Sequence, residues 1–195
     1  MIGFIQQMIN GLSIGSVYAL MAVGYSLVYS IMNFSNFAHG GVIMIGSYIG
    51  FFCISLLNFS FPVAFVTAAL GSGILAIIVE RVAYNPLRKR NAPFLYFIIS
   101  AMGASIFLEN IVVATIGPTF RTYPPVFSAT PIQIGGLTIG RLDVLMFVIS
   151  AISLSILVYI IEKTKIGLAI RATSYSSKGS TLMGVNVDKV IFTIF

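Results

Sequence analysis

Apolar residues run along the chain in five long segments, 4–31, 40–57, 62–82, 93–116 and 142–161, and a sixth starts near Val190. Short clusters of Asn, Ser, Pro, Gly or charge separate them. A helix needs about 20 apolar residues to cross the hydrocarbon of a bilayer, and each segment is close to that length or beyond it. Apolarity within a segment is continuous rather than alternating, which favours helices over the strands of a closed barrel. Pro62 and Pro93 stand at segment starts, where a first helical turn needs no N–H, and Gly117 with Pro118 closes the fourth segment. The pattern predicts an all-α, polytopic transmembrane helix bundle of five spans plus the start of a sixth, forming a single domain over residues 1–195.

Composition agrees. Of 195 residues 58% are hydrophobic and 8% charged, against about 25% charged in soluble domains. The first charged side chain is Glu80, so a soluble globular domain is excluded. The net charge of +6 could suggest nucleic acid, but the bases lie between apolar runs and read as a topology signal. Arg81, Arg88, Lys89 and Arg90 follow the third span; Lys163, Lys165, Arg171, Lys178 and Lys189 follow the fifth; only Arg121 and Arg141 fall on the opposite side. By the positive-inside rule both large clusters are expected in the cytoplasm of a multi-pass inner-membrane protein whose amino terminus lies outside. The break at 33–39 is then cytoplasmic and the Pro- and Gly-rich loop at 117–141 external. That loop is either an ordered, hairpin-like element or a passive tether. The start lacks a basic region of the kind that precedes a cleaved signal, so the first helix is expected to stay in the mature protein. Cys53 has no second cysteine to bond.

Candidate chemistry is sparse. Gly11 with Gly15, and Gly46 with Gly50, have the spacing that lets helices approach closely in lipid, as packing within the bundle or as a dimer seam. Tyr18, Tyr25 and Tyr29 share one face of the first span and either line a polar path or form an interhelical hydrogen-bond seam. The break Asn33-Phe34-Ser35-Asn36-Phe37-Ala38-His39-Gly40-Gly41 gathers amides, a hydroxyl and an imidazole between spans. Non-helical backbone at membrane depth must be buried in protein or line a cavity, and such breaks form solute sites or gates. His39 has no acid or thiol nearby to complete a metal set. Glu109 lies inside the fourth span, a functional position by default, with pairing to Arg121 or to a backbone amide near the outer surface as its structural alternative. The Glu80-Arg81 pair marks the end of the third span. There is no phosphate-binding G-x-x-x-x-G-K-[ST], no H-E-x-x-H and only one His, so no enzyme site is expected.

The stretch Asn10-Gly11-Leu12-Ser13-Ile14-Gly15-Ser16-Val17-Tyr18-Ala19-Leu20, then Gly24-Tyr25 and Asn36-Phe37-Ala38-His39-Gly40, resembles the amino-terminal half of the LivH-type permeases of branched-chain amino acid ABC importers. So do Glu80-Arg81-Val82-Ala83-Tyr84-Asn85-Pro86-Leu87-Arg88 and Ser105-Ile106-Phe107-Leu108-Glu109-Asn110. Residues 167–190 resemble the family's coupling segment, with Arg171-Ala172, Gly184-Val185-Asn186 and Asp188-Lys189 in place and Tyr175, Ser176 and Ser180 where relatives carry acidic or amide residues and Ala. The resemblance implies a permease subunit importing branched-chain or related small amino acids, amides or urea, by alternating access. It implies a second related permease, two ATP-binding subunits that use the ATP, and an extracytoplasmic solute-binding protein, with no cofactor held by this chain itself. The 36–40 break would lie near the translocation path, to which Tyr18, Tyr25, Asn33, Asn36, His39, Gly40 and Glu109 are assigned. A coupling helix within the cytoplasmic segment 163–189 would dock on the ATPase. Relatives carry further spans, so the chain is expected to be incomplete at its carboxy end. The rival expectation from the residues is an ion-coupled carrier or channel using Glu109 and His39.

Overall fold

Five helices are long and apolar enough to cross a membrane: Ile2–Met32, Ala38–Ser55, Phe61–Lys89, Phe94–Ile116 and Arg141–Lys163. The computed structural model describes residues 2–124, 132–134 and 137–195. In chain order the elements are α1 (Ile2–Met32), α2 (Ala38–Ser55), α3 (Phe61–Val79), a π-helical turn (Glu80–Tyr84), α4 (Asn85–Lys89) and α5 (Phe94–Ile116). They continue with β1 (Ile132–Ile134), β2 (Leu137–Ile139), α6 (Arg141–Lys163), α7 (Lys165–Tyr175), α8 (Ser177–Leu182) and α9 (Val187–Ile194). The all-α multi-pass reading holds, and α9 supplies the sixth helical start. The third helix differs most from expectation: it runs through the π turn to Lys89 instead of ending at residue 82.

Contacts divide the chain into two compact units, Met1–Ile31 with Phe127–Val190, and Met32–Val126 with Ile191–Phe195. In the first, Gln6 on the opening turns of α1 exchanges two hydrogen bonds with the backbone of Thr138 on β2, donating at 2.6 Å and accepting at 2.8 Å. Strand β2 pairs antiparallel with β1, Ile132 opposite Ile139, so part of the 117–141 loop is a hairpin. The expectations for Pro125, Val126, Phe127, Pro131, Gly135 and Gly136 lie outside the described residues. The Gln6 bonds put the amino end of α1 and the hairpin on one face of this unit, as alternating spans require.

The second unit is a bundle of α2, α3 and α5, with Phe34, Ala38, Val79, Tyr84, Ala101 and Leu108 as its buried core. Close approach of α2 to its neighbours depends on three glycines. A Cβ on Gly46 would lie 3.0 Å from the Ser72 Cβ; on Gly50, 3.2 Å from the Tyr123 hydroxyl; on Gly41, 3.1 Å from Leu108. Gly11 and Gly15, by contrast, meet nothing within 4 Å among the described residues. Asparagines in left-handed backbone follow the ends of α1, α2 and α4, Asn33 (φ 54°), Asn58 (φ 51°) and Asn91 (φ 49°), and Gly117 (φ 93°) follows α5. Asn is the non-glycine residue that visits this region most readily.

Gly46→Leu therefore forces α2 off α3, and we expect it to lower stability by about 2 kcal/mol. Gly11→Leu should change the chain's own stability by less than about 0.5 kcal/mol. Thermal unfolding followed by helical circular dichroism in detergent compares the two.

Candidate functional site: the helix break and the π turn

Past the left-handed Asn33, the break turns inward. Phe34 is 1% exposed and Asn36 5%, and two short backbone bonds, Phe37 N–H to Ser35 O and His39 N–H to Asn36 O at 3.1 Å each, shape the entry to α2. Asn36 thus places a polar amide in an apolar core, which is costly unless a partner meets it.

The partner comes from the π turn. Pro86 has no N–H to donate to the carbonyl of Val82 and would clash with it in a regular α-helix. The chain widens just upstream, where Asn85 N–H bonds the Glu80 carbonyl five residues back. Widening leaves carbonyls in need of donors, and the Ser100 hydroxyl of α5 donates to Ala83 O at 2.8 Å. At the end of the turn Tyr84 is fully buried, and its hydroxyl donates to Asn36 Oδ1 at 2.6 Å. Phe34 lies edge-on to the Tyr84 ring at 5.1 Å, with Phe97 behind it at 5.3 Å. Ser100 stands six residues into α5, about 9 Å along the helix at 1.5 Å per residue. The break therefore buries Phe34 and Asn36 against the π turn, while Asn33 and Phe37 remain exposed.

Glu80, at the head of the turn, is 2% exposed and pairs with Arg88 at 2.9 Å. Its sequence neighbour Arg81 points outward and lies over the Phe192 ring, 5.5 Å to the centroid. The sequence reading that paired Glu80 with Arg81 as an interface mark is corrected here: the acid turns in to meet Arg88, about two turns on.

The segment after α6 is three short helices rather than one. Thr164 caps α7 by accepting from Gly167 N–H at 3.0 Å, Ser176 caps α8 by accepting from Gly179 N–H at 3.1 Å, and Asn186 caps α9 by accepting from Lys189 N–H at 3.0 Å. Gly184, at φ 84°, ends α8: its N–H bonds Thr181 O and that of Val185 bonds Ser180 O, the paired bonds of a Schellman end. A Cβ on Gly167 would collide with the carbonyls of Ile160 and Ile161, and Arg171 donates back to Ile161 O. Both tie α7 to the end of α6, where a cation also suits the helix dipole. Of the residues expected to couple, Gly184 and Asn186 thus have local structural roles and Arg171 is engaged with α6. Ala172, Asp188 and Lys189 are exposed. Tyr175 at 94%, and Leu182 and Met183 at 88%, are large side chains left almost bare on a polar connector.

Among the residues expected along the path, Asn33, Asn36, His39 and Gly40 come together at the break; Asn33 and Gly40 are exposed and His39 half-buried. Glu109 is exposed on α5 and accepts from Ser105, one turn back, at 3.0 Å, while Arg121 donates to Ile116 O. Leu108 packs on Gly41, so Glu109 is level with the first turn of α2. On α1, Tyr18 and Tyr29 are exposed and Tyr25 is half-buried. Among the described residues no three His, Cys, Asp or Glu side chains gather as a metal set would. Tyr84, Ser100 and Arg88 are the members that sequence reasoning missed; the signal for them is Asn85-Pro86 at the end of an apolar run, which asks for a local break in the helix.

A family model described as branched-chain amino acid transport system / permease component matches residues 7–195. The chain is 36% identical over 204 residues to the high-affinity branched-chain amino acid transport system permease protein BraD of Pseudomonas aeruginosa, covering 98% of this chain and 66% of that protein. It is 37% identical over 205 residues to the permease protein LivH of the corresponding system in Salmonella typhimurium, and 36% over 204 residues to LivH of Escherichia coli, again covering 98% of this chain and 66% of each relative. The chain thus spans a little under two thirds of the length of these curated relatives. No solved structure gives a significant match.

Removing one member of a buried ion pair strands the other charge, at a cost of roughly 3 kcal/mol. Arg88→Leu should therefore destabilise the chain by about that amount, whereas Arg88→Leu combined with Glu80→Leu should recover most of the loss. Thermal midpoints of the two variants in the same detergent make the comparison.

Proposed function

Because the chain belongs to the family of branched-chain amino acid transport system permease components, we propose that it forms part of the membrane path of an ATP-driven importer of branched-chain or related small amino acids, amides or urea included. It works with a second related permease, two ATP-binding subunits that consume the ATP, and an extracytoplasmic binding protein that delivers the solute. The chain itself performs no chemistry on the solute. It sits in the inner membrane with its amino terminus outside, on the strength of nine of its eleven bases lying at or after the ends of the third and fifth spans.

The observation that carries this reading is the connector formed by α7, α8 and the start of α9. Isolated from other proteins, a polar surface segment gains nothing by leaving Tyr175, Leu182 and Met183 bare. Its helices are nonetheless individually capped, so the segment is held in shape as a docking face is. The ATPase subunit is the partner we assign to it, with Ala172, Asp188 and Lys189 at the rim. Substrate passes the break, where Asn33, Asn36, His39 and Gly40 interrupt the helices, and Glu109 lies on the same bundle level with α2's first turn. Alternating access then consists of nucleotide-driven movement of the connector followed by rearrangement of the break. The ion-coupled alternative gains no support from the relatives, all of which are named as permeases of a transport system.

The test is uptake of radiolabelled leucine by the assembled transporter in proteoliposomes, with ATP inside or absent. ATP-dependent uptake is expected, and Leu182→Asp with Met183→Asp should lower it at least tenfold and reduce co-purification of the ATPase, with the chain still present in the membrane. Uptake that follows an ion gradient and ignores ATP would contradict the proposal.

A further inference from the structure

We propose that the Tyr84 hydroxyl is a latch that holds the 33–37 break closed, and that α9 is the lever that works it. The inference rests on the importer reading above and concerns the regulation of the break. Three observations carry it.

First, packing alone does not call for the hydroxyl. The Tyr84 ring is enclosed by aromatic neighbours, Phe34 at 5.1 Å and Phe195 at 5.6 Å, where a phenylalanine would serve as well. The hydroxyl adds a polar group to an apolar core and donates to Asn36, the residue at the centre of the break, 48 positions away. Each of the two polar groups offsets the other's burial, so both are exposed to loss if they part.

Second, the latch is mounted on a π turn, which holds one residue more than an α turn. A one-residue change in where Tyr84 stands relative to that turn would rotate its side chain by about 100° about the helix axis and carry the hydroxyl away from Asn36. The Ser100 bond to Ala83 O holds the present register from the side of α5.

Third, α9 and the residue that follows it press on this same turn at two of its five residues: Phe192 of α9 beneath Arg81, and Phe195, just past α9, on Tyr84. Displacement of α9 acts on the turn directly, and through Tyr84 on Asn36. Tyr84 is in this sense a positioning residue; it sets the state of the break without needing to touch solute.

The experiment reads the break directly. Ala38 is fully buried beside Phe34 and Tyr84, so Ala38→Cys, in a Cys53→Ser background, reports opening through its rate of reaction with a charged maleimide. The full chain is used in its own membranes, opened by freeze and thaw so that the reagent reaches both faces. Tyr84→Phe should raise the labelling rate about five- to tenfold, the range expected for loss of a single buried hydrogen bond. Asn36→Ala should do the same, and the two together should exceed neither alone by more than about twofold. Phe195→Ala, which leaves both bonding partners in place, should raise the rate about threefold. An unchanged rate in Tyr84→Phe, or a double variant whose increase is the product of the singles, would overturn the latch; an unchanged rate in Phe195→Ala would overturn the lever. If one single variant is lost from the membrane, the other decides against the same reference. The labelling needs neither ATP nor leucine, so failure of the importer reading in the uptake assay is distinguishable from failure here.

Discussion

A helix break that buries a polar side chain in an apolar core has to find a partner for it within the protein, and this bundle supplies one in the hydrogen bond from Tyr84 to Asn36. The net worth of such a bond is modest, about 1 kcal/mol or less in measured membrane cases. Its consequence comes from what surrounds it. Asn36 sets the entry to α2; Tyr84 sets the end of the third span; and Ser100 ties that end to α5. The core of α2, α3 and α5 assembles around this meeting point, with Gly41, Gly46 and Gly50 allowing the close approach that brings the three helices there.

Proline explains why the meeting point exists. Pro86 forbids a regular turn ahead of it, and the widened turn that results directs Tyr84 inward and Arg81 outward. It also brings Glu80 within reach of Arg88, so that the acid at the head of the turn is neutralised by a base beyond it. A local backbone requirement thus sets three side-chain positions at once. The connector uses a different device, a polar cap before each of its short helices, Thr164, Ser176 and Asn186, which gives a defined shape to a segment too polar to be held by a core.

The spans were legible because twenty apolar residues in a row have few other uses, and their boundaries fell within a few residues of the observed helices. The third was misjudged at its end, since hydropathy falls at Glu80 while the helix continues on a buried ion pair that hydropathy does not register. At the site, Asn36 and its break stood out by composition; Tyr84 did not, because a tyrosine in an apolar run reads as an interfacial or packing residue. Long-range partners separated by 48 positions leave no local periodicity. The residues assigned to coupling rest on resemblance, and the geometry adds what resemblance cannot: Gly184 and Asn186 end and begin helices, and Tyr175, Leu182 and Met183 are side chains left bare.

The central claim is that the break and the π turn form one cooperative unit joined by the Tyr84 hydroxyl. Hydrogen–deuterium exchange of the full chain, compared between the natural sequence and Tyr84→Phe, tests it most directly. The account predicts that amides of 33–41 and of 79–88 lose protection together and by the same factor, while those in the middle of α2 and α5 keep theirs. Faster exchange confined to 79–88, with 33–41 as protected as before, would contradict it.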